Sequence, residues 1–346
     1  MKTLGIGIIG SGGIARAAHM PNYVKLPDVN LIAVADKSAQ AGQTAAKQFE
    51  VPHVFKDYHD LLKLKEIDAV SVCTPNAYHA ECTIAALKAG KHVICEKPIA
   101  MNAGEAAKMV EASKRTGKQL MVAQHHRFGA GVQALKKAIK DGALGEIYYC
   151  ETIALRRRGI PSWGLFTQKK HSGGGPMIDI GVHFLDQALF LMGHPKPIAA
   201  TGCCYTKFGK RAGVFGGFGP WDPKKYDVED MAVGLVRFAN GASLVVKTSW
   251  AANIGRDEFN TWIMGTEGGC SVDPLGIYRE EHGYLVNIAP VSLPPRDAYF
   301  EEIKAFVDAV RGNKPVPVPG EQALITQKIM DAIYASAKAG KEVAIK

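Results

Sequence analysis

The 346-residue chain predicts a two-domain α/β protein: a doubly wound parallel sheet over residues 1–123, then an α+β domain with a large, mostly antiparallel open sheet over 124–346. Three observations predict it. At ~150 residues per domain the length asks for two cores rather than one. Up to about Phe128, short β-branched runs alternate with Ala-rich helical stretches, the pattern of strands covered on both faces by helices. Beyond Phe128 longer strands follow one another quickly, as in a sheet with one covered face.

The apolar runs of the first region are Leu4–Ile9, Asn30–Ala35, Ala69–Cys73, His92–Cys95 and Gln119–Ala123, and the helical stretches between them include Ser38–Phe49, His79–Ala89 and Ala103–Thr116. In the second region strands are predicted over Ile147–Leu155, Ile198–Tyr205, Met231–Phe238, Ala242–Ser249 and Phe259–Gly265. Asn240-Gly241 marks a hairpin, because both residue types tolerate positive φ. Helices are predicted over Gly129–Lys140, Ile178–Met192, Asp297–Arg311 and Glu321–Ala339, with the Pro-rich link Lys314–Pro319 before the last.

Apolar residues at 47% and charged residues at 22% mark a globular chain, and exclude a disordered or collagenous one. The net charge of +9 leaves a nucleic-acid surface or an anionic ligand open, but the only tight basic cluster is Arg156-Arg157-Arg158 and no nucleic-acid-binding motif accompanies it. Seven cysteines, an odd number without C-x-x-C spacing, read as reduced thiols. With no signal-peptide pattern and no run of ~20 apolar residues, a cytoplasmic protein without a membrane partner or a metal is expected.

The first chemical signal is the turn Gly10-Ser11-Gly12-Gly13-Ile14-Ala15 between a strand and a helix. Gly10 permits the turn, Gly12 and Gly13 let backbone approach a pyrophosphate, and the helix beginning near Ile14 presents N–H groups and positive dipole to it. Asp36 ends the second strand, 23 residues beyond Gly13, where a carboxylate accepts hydrogen bonds from ribose hydroxyls and repels a 2′-phosphate. NAD is therefore the favoured cofactor, with Lys37 alongside leaving NADP open. Thr74-Pro75-Asn76, with His79 just after, and Glu96-Lys97-Pro98 close two further strands, at whose carboxyl ends a doubly wound sheet binds its ligand.

Together with the downstream Asp179-Ile180-Gly181-Val182-His183, these motifs resemble, in order and over nearly the whole length, the Gfo/Idh/MocA oxidoreductases. The resemblance implies an N-terminal Rossmann domain holding NAD or NADP and a second domain presenting a sugar or cyclitol on its sheet. It places the cofactor on Gly10, Gly12, Gly13, Ile14, Asp36, Lys37, Thr74, Pro75, Asn76, His79, Glu96, Lys97 and Gln124. It makes Lys97, Asp179 and His183 the catalytic residues of an NAD-dependent dehydrogenase acting on a ring hydroxyl. Spacing agrees on one point, since residues four apart at a helix start share a face.

Substrate contacts are expected from these three and from Arg127, Arg156, Arg157 and Trp163. Arg127 reads alternatively as an interdomain ion pair, and the arginine cluster as a solvated basic edge. The Gly-rich stretch Gly209–Gly219 reads as a lid or a subunit contact. The resemblance also implies a homodimer or homotetramer. Two other activities are compatible with these motifs: a glycoside hydrolase that oxidises its substrate transiently, and a sugar- and NAD-sensing protein without turnover.

Overall fold

The computed structural model describes Thr3–Lys346, in which two compact units are built, Thr3–His125 with Asp297–Leu324 and His126–Arg296 with Ile325–Lys346.

The first unit alternates β1 (Leu4–Ile9), α1 (Met20–Val24), β2 (Val29–Ala35), α2 (Ala39–Phe49), β3 (His53–Phe55), α3 (Tyr58–Leu62), β4 (Ala69–Val72), α4 (His79–Lys88), β5 (His92–Cys95), α5 (Ala103–Thr116) and β6 (Leu120–Val122). All six strands are parallel, in the order β3-β2-β1-β4-β5-β6. The order reverses direction between β1 and β4, and ligands of such sheets sit at that switch point. Every residue of β1 and β4 is buried, which is why these strands read as unbroken apolar runs. Caps set the helix starts: Ser38 accepts the N–H of Ala41, and Asn102 that of Glu105.

The second unit begins with α6 (Ala130–Lys140) and β7 (Ile147–Leu155), then α7 (Lys169–Ser172), α8 (Val182–Met192), β8 (Pro197–Tyr205), β9 (Met231–Phe238), β10 (Ser243–Ser249), β11 (Glu258–Gly265), β12 (Gly269–Ser271), β13 (Gly276–Glu281) and β14 (Tyr284–Ile288). After α9 (Ala298–Gly312) and α10 (Gly320–Ala339), the short β15 (Val343–Ala344) completes a nine-stranded sheet ordered β14-β13-β12-β11-β7-β10-β9-β8-β15. The pair β7–β10 is parallel and the others are antiparallel. One sheet face packs on α6, α8 and the C-terminal half of α10 through Leu135, Leu185, Leu189, Leu244, Val246 and Ile333.

Besides the short β3, α3 and α7, which the sequence did not predict, three features differ from the sequence expectation. Residues 297–324, which the sequence assigns to the second domain, pack within the first unit. There Arg311 donates to Pro27 O at 2.8 Å and Val122 N–H to Val318 O at 3.0 Å, extending the edge of β6. At the β9–β10 hairpin only Gly241 takes positive φ, +87°, while Asn240 caps Ala242 N–H through its side chain. The strands β12 to β14 and β15, absent from the sequence expectation, extend the sheet at both edges.

Candidate active site

In the first unit the chain leaves β1 and turns at Gly10, whose φ is +88° and where a Cβ would lie 2.8 Å from the Cys73 and Thr74 backbone. Glycine alone satisfies both demands. A Cβ at Gly12 or Gly13 would meet nothing within 4 Å, so this backbone stays open to a ligand before the widened helical turn Ala15–His19. Asp36 Oδ2 accepts the N–H and the hydroxyl of Ser11 at 2.8 and 2.9 Å, and Oδ1 accepts Ser38 N–H at 2.8 Å. The carboxylate thus fixes the glycine turn itself, with lone pairs left for ribose hydroxyls. Lys37 lies over the Tyr78 ring at 4.8 Å.

Thr74, Pro75 and Asn76 form the loop after β4, as expected. The His79 ring is buried, with Nδ1 2.7 Å from Pro98 O and Nε2 2.9 Å from Thr74 O. The ring bridges the loops after β4 and β5 through both of its nitrogens. Burial pushes its pKa down, against the pull of those carbonyls.

Glu96 turns its side chain inward. Its carboxylate is buried against His19 Nε2 at 2.9 Å, with His19 Nδ1 3.1 Å from Ser71 Oγ and Tyr23 OH 2.8 Å from the same oxygen. Its other oxygen accepts Lys97 N–H at 3.1 Å. Burial alone would raise the Glu96 pKa, but the His19 hydrogen bond and the nearby positive groups, Lys97 included, bring it below the usual range. Glu96 therefore supports Lys97 from beneath. Gln124 is buried after β6, and its Oε1 has no hydrogen-bond partner among the described residues, so an amide N–H from a ligand would satisfy it.

In the second unit the helix that carries Asp179 and His183 starts abruptly. Glu229 is buried and accepts Gly175 N–H at 2.9 Å, Met177 N–H at 3.3 Å and Tyr334 OH at 2.7 Å. Desolvation pushes its pKa up despite these donors. A Cβ on Gly175 would collide with Glu229 O, and one on Gly174 with the Tyr334 hydroxyl, which accounts for the glycines ahead of Pro176. The turn Met177–Gly181 is π-type and runs directly into α8. Asp179 Oδ2 accepts the indole N–H of the fully buried Trp250 at 3.0 Å and lies 4.0 Å from Arg156 Nη1. His183 stacks on His126, ring centroids 4.8 Å apart.

Arg127 departs from the expectation of a substrate contact. It is 2% exposed, and its Nε and Nη2 donate to Asp186 at 2.6 and 2.7 Å, a forked pair inside the second unit. Arg157 and Arg158 are turned to the 252–257 loop: Arg157 donates to Gly255 O at 3.1 Å, Arg158 to Ala252 O at 2.7 Å and Asn253 Oδ1 at 2.6 Å. Of the cluster, Arg156 is the guanidinium beside Asp179. Trp163 is exposed and packs on Phe218, centroids 5.4 Å apart. Sequence reasoning missed Trp250, Glu229, His126 and His19, and only the glycines before Pro176 hinted that something crowds that helix start.

No described helix is long and apolar enough to cross a membrane. All seven cysteines are free. Over 98% of its length the chain is 37% identical to D-glucoside 3-dehydrogenase of Escherichia coli (strain K12), covering 97% of that protein. It is 29% identical to myo-inositol 2-dehydrogenase of Thermotoga maritima, with 91% of each chain covered. Among solved structures, levoglucosan dehydrogenase in complex with NADH and levoglucosan superposes with a TM-score of 0.87 at 26% identity over 99% of both chains. Residues 4–124 match the oxidoreductase family with the NAD-binding Rossmann fold, and residues 136–345 match that family's C-terminal alpha/beta domain. The open glycine turn, Asp36 beneath it and the sequence match agree, and the chain is an NAD-binding oxidoreductase of the Gfo/Idh/MocA family.

Proposed function

We propose that the protein oxidises a ring hydroxyl of a sugar, sugar derivative or cyclitol, with His183 as general acid/base and Lys97 and Asp179 binding and polarising the reacting hydroxyl. The observation that carries this reading is the Asp179 carboxylate, held by Trp250 and Arg156 on the same capped helix start that bears His183. Its most similar relatives in the comparison act, by name, on a glucoside, an inositol and levoglucosan, each a ring polyol or its derivative.

The first unit suits NAD: the open backbone at Gly12 and Gly13 suits the pyrophosphate, Asp36 the adenosine ribose, and Gln124 Oε1 an amide N–H at the nicotinamide end. When bound, NAD supplies a hydride acceptor. His183 takes the hydroxyl proton, a task imidazole performs near neutrality. Asp179, held by the Trp250 indole and facing the Arg156 charge, holds a neighbouring hydroxyl or the imidazolium. The Lys97 ammonium stabilises negative charge developing on the substrate oxygen.

A cytoplasmic homo-oligomer goes with this reading. The far face of the nine-stranded sheet exposes Tyr148 and Met264, and the outer β14 exposes Tyr284 and Leu285, which is 91% exposed, a surface suited to a second copy.

The test is NADH formation over a panel of methyl and phenyl glucosides, myo-inositol and levoglucosan. At least one should be oxidised, and His183→Ala should cut turnover ~10²-fold or more with NAD affinity unchanged by calorimetry. No NADH from any of them, or full activity in His183→Ala, overturns the assignment. Sugar release from a glycoside without net NADH overturns it in favour of hydrolysis.

A further inference from the structure

We propose that Trp163 and Phe218 form an aglycone subsite beside Asp179, taking the flat apolar group of a glycoside, an aryl ring best of all. The inference rests on the sugar-oxidation reading above and names the substrate class within it.

Exposed aromatics crowd one part of the second unit: Trp163 is 54% exposed, Phe218 43% and Phe215 74%. They lie on or against the loop after β8, and that loop is tied down along its length. Asp230 Oδ2 accepts the consecutive N–H groups of Lys207, Phe208 and Gly209 at 2.7, 2.6 and 2.9 Å. Trp221 Nε1 donates to Gly209 O at 2.7 Å, Gly217 N–H donates to Arg158 O at 3.1 Å, and the Ser162 hydroxyl donates to Phe218 O. Rings on such a loop are held in water rather than left to swing, so a ligand meets them with little ordering left to lose.

Contacts lead from these rings to the candidate chemistry. The Phe218 ring lies over the Arg156 guanidinium at 5.2 Å, Arg156 reaches to 4.0 Å from Asp179 Oδ2, and Trp163 packs on the outer side of Phe218 with centroids 5.4 Å apart. The rings of Trp163 and Phe218 are inclined by 55°, Phe166 meets Trp163 edge-on at 6.4 Å, and the tryptophan remains 54% exposed, so indole surface is left to a ligand. Polar groups thus stand next to the helix start and aromatic faces stand outside them. A glycoside has the same layout, with a hydroxylated ring at one end and an apolar group at the other. Of the three arginines, Arg157 and Arg158 bond the 252–257 loop, and Arg156, beneath the Phe218 ring, is the one beside Asp179.

The experiment compares kcat/KM for phenyl β-D-glucoside, methyl β-D-glucoside, cellobiose and glucose with saturating NAD, and measures phenyl and methyl glucoside binding calorimetrically without NAD. The phenyl glucoside should exceed the methyl glucoside roughly three- to tenfold, the range of one aromatic contact, and the difference should sit in KM. In Trp163→Ala and in Phe218→Ala that ratio should fall to near one, and Trp163→Phe should keep most of it. Equal kcat/KM for the two glucosides, or a preference for cellobiose, overturns the subsite while leaving sugar oxidation standing. So does a change of oligomeric mass in the Ala variants without a change of ratio, which would make the aromatic face a subunit contact. If no sugar yields NADH, the functional reading fails, and calorimetry still decides whether the aryl group is preferred.

Discussion

Trp250 donates its indole N–H to Asp179, so a residue at the end of the central strand pair β7–β10 holds the carboxylate at the start of the His183 helix. The bond is 3.0 Å long and the indole is fully buried. Trp250→Phe keeps most of the apolar volume and removes the donor. It should lower kcat/KM roughly ten- to hundredfold, because losing a hydrogen bond to a charged group costs about 1.5–3 kcal/mol. Steady-state NADH formation checks the rate, and thermal unfolding distinguishes it from general destabilisation.

Glu229 should show itself in stability. Glu229→Gln leaves an amide where two backbone N–H groups and the Tyr334 hydroxyl all donate, so one donor faces another. Urea unfolding should report a loss of roughly 1–3 kcal/mol, with Tyr334→Phe losing about 1 kcal/mol.

Arg127 and Asp186 form a forked pair with both side chains almost wholly buried. Asp186→Asn should destabilise the protein by about 3–5 kcal/mol, since an unpaired guanidinium is then left inside. Replacing both with apolar residues should recover much of that loss. If instead Arg127→Lys raised the substrate KM with stability intact, the sequence expectation of a substrate contact would regain its place.

His194 gives the fold an acid limit. Burial first, then the nearby Arg127 and Lys136 charges, disfavour its cation and pull its pKa to about 3. Its two ring nitrogens are buried and have no hydrogen-bond partner among the described residues. A histidine depressed in the folded state contributes its full stability above ~6.5, the unfolded value, and loses it as pH falls from there towards the folded pKa. Urea midpoints should therefore drop between pH 7 and pH 5. His194→Asn, which tolerates the φ of +56° at this position, should flatten that drop.

Asp36→Ser removes both the repulsion of a 2′-phosphate and the acceptor for Ser11. Calorimetry should show NAD binding weakened and the gap to NADP narrowed, with Lys37 then available to a phosphate. NADP binding more tightly than NAD to the unaltered protein would sink this.

What was legible in the sequence followed the period of burial. The boundaries of β1, β5, β7 and β9 coincide with the apolar runs, because β1 is buried throughout, β5 nearly so, β9 alternates cleanly and β7 carries a buried stretch from Thr152 to Ala154. The hairpin of β13 and β14 escaped because its residues are polar or exposed on both faces, and because its turn is His282-Gly283, with φ of +53° and +79°, rather than Asn-Gly. Of the proposed catalytic residues, Lys97, Asp179 and His183 stood out through local motifs. Trp250 and Glu229 did not, since each meets its partner more than fifty positions away. For His79 and Glu96, which fell inside motifs, the sequence did not show the side-chain partners the fold gives them, the Thr74 and Pro98 carbonyls and His19.

Asp230 gathers Lys207, Phe208 and Gly209, and Trp221 returns to Gly209, so the two ends of the segment 210–220 are fastened from outside it, while within it Gly217 and Phe218 bond to the loop after β7, at Arg158 and Ser162. Next to Asp230 in sequence, Glu229 fastens the His183 helix. The segment can therefore be exchanged for one of different length or shape while both anchors stay, and a library randomised over 210–220 should yield folded proteins that differ in the substrates they accept and agree in how tightly they hold NAD.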